Sequence, residues 1–185
     1  MTILGLSPIV RLIQVASLGC MLFSLRTPHR DPGRVELSLA LLGERELPDG
    51  SWQGADLLAR PEAPAQRFQL TLRPDRDLRV VLEARAPDGT VARIFPAPGK
   101  EGVLAHGQSY ALPGPQAFYA LEGKVLLVLT ASPVRASSLP ATLVRALALE
   151  PGPPLPLSDG ARVQVQSARL AAQGPLRLEL PLSDR

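Results

Sequence analysis

From Val35 onward the chain alternates apolar and polar residues, Val35-Glu36-Leu37-Ser38-Leu39, with the period of two that a half-buried strand produces. The same period returns where Phe68, Leu70 and Leu72 flank Gln69 and Thr71, and again at Leu78, Val80 and Leu82. Between these runs, Pro48-Asp49-Gly50 is turn chemistry, and the stretch from Arg60 to Ala65, with two prolines, reads as loop. The clearest hairpin is predicted where Leu78 to Leu82 leads into Ala86-Pro87-Asp88-Gly89 and Val91 to Phe95 resumes, because Asp-Gly reverses the chain at low cost. Gly102 to Leu104, Tyr110 to Leu112, Phe118 to Leu121 and Val125 to Thr130 add short strands. The last is nearly all apolar, which predicts a central position.

One helix is predicted near the C-terminal third. Ser138 supplies a hydroxyl N-cap, Pro140 fits the first turn, and Leu143, Val144 and Leu147 recur on one face until the proline-rich run from Pro151 to Pro156 ends it. Arg162 to Gln166 and Leu176 to Leu180 alternate once more, and a closing hairpin around Ala171-Ala172-Gln173-Gly174 is expected. The pattern as a whole predicts a mainly β domain, an antiparallel β-sandwich or partly open barrel with one short helix.

The N-terminus follows different rules. Leu12 to Leu25 contains no charge, and with Arg11 tolerated the apolar stretch reaches back to Ile3, long enough to cross a bilayer at about 20 residues of 1.5 Å each. Bulky Phe23-Ser24-Leu25-Arg26 stands where a signal peptidase needs small residues, so an uncleaved anchor is expected. Residues 1–25 are therefore read as a transmembrane anchor or signal-like segment, 26–34 as a linker interrupted by Pro28, Pro32 and Gly33, and 35–185 as the β domain. Leu18-Gly19-Cys20 resembles the end of a lipoprotein signal, but Ser17 replaces the usual Leu and apolar residues continue past Cys20; a membrane-buried thiol is the expectation, a lipidated one the alternative. Arg26, Arg30 and Arg34 outnumber Arg11 across the span, and by charge alone they would hold the following domain in the cytoplasm.

Composition narrows function more by exclusion. The chain has 185 residues, 45% of them hydrophobic, with 20 prolines, 15 glycines and seven aromatics counted as four Phe, two Tyr and one Trp. Such a chain can bury a core but must do so in short, often interrupted segments. A formal charge of +3 invites a nucleic-acid reading, yet basic residues are interspersed with acids, as in Arg73 to Arg79 with Asp75 and Asp77, so no phosphate-binding face is expected. The single cysteine precludes an intramolecular disulfide. His29 and His106 supply no metal set with Cys20, no Gly-x-Ser-x-Gly elbow presents a serine to His106, and Glu44 and Glu46 read as solvated carboxylates in a charged turn. No catalytic residue, metal or cofactor is expected; a hydrolase built on His106 is the weaker alternative. Phe68, Phe95, Phe118 and Tyr110 are assigned to the core, which leaves Trp52 as the candidate for contact with a partner.

The segment from about Arg79 to Ala148 resembles the bacterial domain of unknown function 4384 family. The matching features are the Asp88-Gly89-Thr90-Val91 turn, the strand ending at Ile94-Phe95-Pro96, Val103 to Gln108 leading into Tyr110-Ala111-Leu112-Pro113, and the strand Leu127 to Pro133 ending in Ala-Ser-Pro. Where family members often carry Gly-x-Glu before the last core strand, this chain has Leu121-Glu122-Gly123-Lys124, so no role is carried over to that acid. The resemblance implies an outward-facing module on a single inner-membrane span, periplasmic rather than cytoplasmic. It further implies a part in interaction or sensing, with a protein or envelope component as partner. A structural envelope lipoprotein held by Cys20 is the competing class.

Overall fold

The computed structural model describes residues 33–135 and 140–184. The predicted anchor, Cys20 and His29 lie outside these residues. Among the described residues thirteen strands form two sheets: β1 (Arg34–Glu46), β2 (Trp52–Asp56), β3 (Arg67–Pro74), β4 (Leu78–Arg85), β5 (Val91–Phe95), β6 (Val103–Leu104), β7 (Tyr110–Leu112), β8 (Tyr119–Ala120), β9 (Lys124–Pro133), β10 (Thr142–Val144), β11 (Leu149–Pro156), β12 (Arg162–Gln173) and β13 (Leu176–Ser183). The first sheet runs β11-β12-β1-β3-β7, with β2 on β1 and β8 on β3; the second runs β10-β13-β9-β4-β5, with β6 on β4. All pairings are antiparallel except that of β10 with β13. The domain is mainly β, in two sheets, and is not a closed barrel.

Alternation along each strand creates the shared core. Val35, Leu37, Leu39 and Leu41 of β1 and Leu70 and Leu72 of β3 meet Val80 and Leu82 of β4, Leu127 and Leu129 of β9, and Leu178 and Leu180 of β13 in one buried cluster. Each fully buried leucine contributes roughly 2 kcal/mol of transfer free energy, so this layer is the main source of stability. β9 occupies the centre of its sheet, as its apolar run predicted.

β1 departs from simple alternation after Leu39. Leu39-Ala40-Leu41-Leu42-Gly43 is a continuous apolar run because both faces are covered there. Leu41 faces the shared core, while Ala40 and Leu42 join Leu155, Leu157 and Val165 in a second, smaller cluster against which Phe118 and Val163 pack. The β11–β12 hairpin thus folds its apolar residues onto the outer side of the first sheet. Gly54 allows the close approach: a Cβ there would stand 2.6 Å from Val163 Cγ2 and 2.7 Å from Leu157 Cδ2.

Three expectations are corrected. Among the described residues the helix is absent: Pro140 lies outside regular structure, Thr142–Val144 forms β10 beside Leu176–Leu178, and Leu149–Pro156 is β11, while Ser138 and Leu139 lie outside the described residues. Tertiary pairing with β13 wins over a helical pattern that four nearby prolines keep short. The closing hairpin is absent too. Ala171 to Gln173 belong to β12, and the chain turns at Gly174, φ +83°, to cross from one sheet to the other. Finally, of the aromatics assigned to the core only Phe68 is fully buried; Phe95 and Tyr110 pack against the main core half-exposed, and Phe118 against the second cluster.

At the β1–β12 pairing Glu36 takes ion pairs from Arg169 and, at 2.8 Å, from Arg34. The hydrogen bond from Arg169 above all, and then the two positive charges, hold its carboxyl below the ordinary value of 4.5. A lowered folded-state value means that the contribution is present above the unfolded value and is lost as pH falls through the folded one. The Glu36 carboxyl carbon is expected to titrate by NMR below the ordinary range, and Arg169→Ala to move its midpoint upward; an unmoved midpoint would assign the depression elsewhere.

Candidate functional site

The sequence-derived candidates occupy separate places. Trp52 opens β2, half-buried, and the guanidinium carbon of Arg67 lies 3.4 Å from its ring centroid and 5.0 Å from that of Phe118. Arg67 in turn holds Glu44, with Nε and Nη2 each 2.8 Å from Oε2, and its Nη2 also reaches the Ser158 hydroxyl. The Ser158 N–H donates to Glu44 Oε1 at 2.9 Å and its hydroxyl to Oε2 at 2.8 Å. This places the Trp52 ring in a cation–π stack that a partner does not need to complete.

Glu44 is therefore not solvated. It sits on β1 at 0% exposure, on the same face as Ala40 and Leu42, while Glu46 at the strand end is exposed. A buried carboxylate requires charge and hydrogen-bond partners, and Arg67 from β3 and Ser158 from the β11–β12 turn supply both. The cluster bolts that turn to the first sheet.

The other buried polar side chains are engaged in the same way. Asp56 Oδ1 accepts the N–H groups of Leu58 and Ala59, at 3.0 and 3.2 Å, and its Oδ2 accepts that of Gln166 at 2.7 Å, tying the end of β2 to β12. Gln69 donates to the carbonyls of Gly114 and Ala117 at 2.7 and 3.0 Å. Each of these groups is consumed by holding backbone in place. His106 is exposed in a turn, where its backbone N–H donates to Asp77 Oδ1 at 2.8 Å. The Tyr110 hydroxyl accepts from the Ala105 N–H at 2.8 Å and donates to Gln108 Oε1 at 3.0 Å. Among the described residues no group of three or more His, Cys, Asp or Glu could hold a metal ion.

One concavity among the described residues belongs to positions that sequence reasoning did not single out. On the outer face of the second sheet a groove of about 810 Å³ runs over Arg85 of β4, Val91 of β5, Leu126 of β9 and Pro181 of β13. Register explains the grouping, since Arg85 lies opposite both Val91 and Leu126, and Leu126 lies opposite Pro181. Lys124 and the turn residues Ala86, Pro87 and Gly89 form its rim. A second groove of about 380 Å³ shares Val91 and continues past Glu83 and Arg93 to the loop from Pro96 to Lys100. Trp52 lines neither groove. The available sequence signal was Val91-Ala92-Arg93, a strand stretch too short to show which face would be left open.

Charges along this surface are partly balanced. Arg85 Nη2 pairs with Glu83 at 3.1 Å, and Arg177 with Glu179 at 2.6 Å, while Lys124, Arg93 and Lys100 are exposed. Tyr119 closes one end of β5, its hydroxyl donating to the Ile94 carbonyl at 3.2 Å; burial pushes its phenol upward from the ordinary value. The arrangement provides apolar contact area, backbone hydrogen-bonding groups and positive charge, which together suit binding. Compared with known protein families, curated proteins and solved structures, the chain matches none at the level of similarity sought.

Proposed function

We propose that this chain is a non-enzymatic interaction or sensing module of the bacterial envelope, anchored in the inner membrane through residues 3–25 with its β domain in the periplasm. The observation that carries the reading is the open, mostly apolar groove on the outer face of the second sheet, beside the exposed strand β5. The buried acids support it as well, because Glu44 and Asp56 are fully engaged in holding strands and turns. The apolar N-terminal stretch and the resemblance to domain of unknown function 4384 modules supply the membrane side of the proposal. Within it, Trp52 serves as a secondary contact at the far sheet, and partner specificity lies with the groove.

The test places a photo-crosslinking amino acid at Val91, at Trp52 and, as a control, at exposed Glu122 in the full-length chain, in cells that produce it. A discrete protein adduct at Val91, absent at Glu122, is the expected result. A parallel C-terminal fusion to alkaline phosphatase is expected to be active in the membrane fraction. No adduct at Val91 or Trp52 would remove the binding reading, and an inactive phosphatase beside a fluorescent cytoplasmic reporter would place the domain on the other side of the membrane.

A further inference from the structure

Four strands end the two sheet paths, and they are not equally protected. β11 carries Pro151, Pro153, Pro154 and Pro156, which withhold donors along its edge. β7 and β10 are three residues each, too short to template another strand. β5 has five residues, no proline and a single charge at Arg93, and Val91 is 51% exposed. A bulge between Leu82 and Glu83 bends its far end and Tyr119 holds the Ile94 carbonyl, but Val91 to Arg93 carry no proline and keep the regular pairing with β4, so this is the least guarded of the four.

Its outward groups follow from the hairpin. Ala86 N–H donates to the Thr90 carbonyl, and Arg85, Ala84 and Glu83 lie opposite Val91, Ala92 and Arg93. Antiparallel pairs alternate between hydrogen-bonded and not, so Ala84–Ala92 is bonded while Val91 and Arg93 turn their N–H and C=O groups away from β4. The side chains of Val91 and Arg93 share the outer face with Arg85, Val91 lining both grooves and Arg93 the second. An incoming strand would therefore find backbone groups at two alternate residues, an apolar site at the first and a positive one at the second.

Deepening the binding-module reading and resting on it, the geometry points to β5 as a β-augmentation edge for an extended peptide that places an acidic residue opposite Arg93 and, two positions later, an apolar residue opposite Val91. The antiparallel direction continues the β9–β4–β5 pattern. A second copy of the chain is a poor occupant. A two-fold pairing centred on Arg93 opposes two arginines, one centred on Ala92 leaves them diagonal at about 7–8 Å, and one centred on Val91 runs Arg93 into the turn at Gly89. Charge complementarity thus selects an acidic partner strand.

Two fluorescein-labelled heptapeptides, TTETVTT and TTKTVTT, are titrated against the full chain in detergent micelles by fluorescence polarisation. Saturable binding of the first and at least about fivefold weaker binding of the second are expected, with Arg93→Glu reversing the order. Val91→Pro removes an outward N–H that β4 does not use, so it is expected to weaken both peptides at an unchanged melting temperature. Equal affinities for the two peptides overturn the charge selection. Absence of binding, with the Val91 crosslink to a protein still present, overturns the strand-addition proposal and leaves the module reading standing; loss of both removes the two together. Arg93-dependent binding to phosphatidylglycerol vesicles without peptide binding would assign the edge to lipid. A dimer lost in Val91→Pro would assign it to a second copy.

Discussion

Replacing Glu44 with alanine is expected to lower the unfolding free energy by about 3 kcal/mol, more than any surface substitution in the domain. The carboxylate is at 0% exposure and carries the hydrogen bonds of Arg67 and Ser158, so its loss leaves a guanidinium only 28% exposed and the Ser158 N–H without their acceptor. Leaving such donors unsatisfied costs more than the net value of the bonds themselves. The sole tryptophan reports locally, because Arg67 is stacked on it at 3.4 Å. Denaturant unfolding followed by Trp52 fluorescence and by circular dichroism is expected to show an earlier midpoint, with the native Trp52 emission also changed. The discriminating comparison is Glu46→Ala at the exposed end of the same strand, which is expected to stay within about 0.5 kcal/mol of the wild type. Equal effects at the two positions would mean that Glu44 is solvated in solution.

Period-two alternation located β1, β3, β4, the start of β12 and β13, since one covered face leaves a readable trace in the residues, while β5 followed from the Asp-Gly turn and β9 from its apolar run. It misled where two faces are covered or where neighbours decide. Glu44 read as solvated because it stands among Arg45 and Glu46, yet it continues the face of Ala40 and Leu42, and the apolar run before it already marked that face as covered. The stretch Thr142 to Leu147 has helical spacing, but three of its residues are held by hydrogen bonding to β13, a non-local choice that local spacing does not encode. The Asp88-Gly89 hairpin was legible because its turn chemistry is local: Gly89 has φ +88°, and the Asp88 carboxylate accepts the Thr90 N–H at 2.8 Å.

The groove was the least legible feature. Its walls come from β4, β5, β9 and β13, residues far apart in sequence that only the pairing register aligns into the row Val91, Arg85, Leu126 and Pro181. A binding surface made from the outer face of a sheet uses the same polar-side positions that solvent would, so residue type alone does not distinguish the two. What distinguishes them is whether another element covers the face, which depends on topology. The first sheet has the β11–β12 hairpin over its outer face at Ala40 and Leu42, while among the described residues the row Val91, Arg85, Leu126 and Pro181 of the second sheet lines the groove.

That asymmetry carries the second large effect, read at two adjacent positions. Leu41 and Leu42 point to opposite faces of β1, and both are fully buried, one in the shared core and the other beneath the β11–β12 hairpin. Simple alternation would leave one of them facing water and its truncation nearly free. Burial on both sides leads instead to the expectation that Leu41→Ala and Leu42→Ala each cost about 3 kcal/mol, since either leaves a cavity that its neighbours fill only in part. Their local consequences should differ. Leu42→Ala is expected to speed amide exchange chiefly at Val163 and Val165, which pack in the outer cluster, whereas Leu41→Ala is expected to act through Leu57 and Leu70 in the shared core. A Leu42→Ala variant as stable as the wild type would mean that the hairpin stands off the sheet in solution. Both outer faces would then be open, and the groove beside β5 would lose its claim to be the distinctive surface.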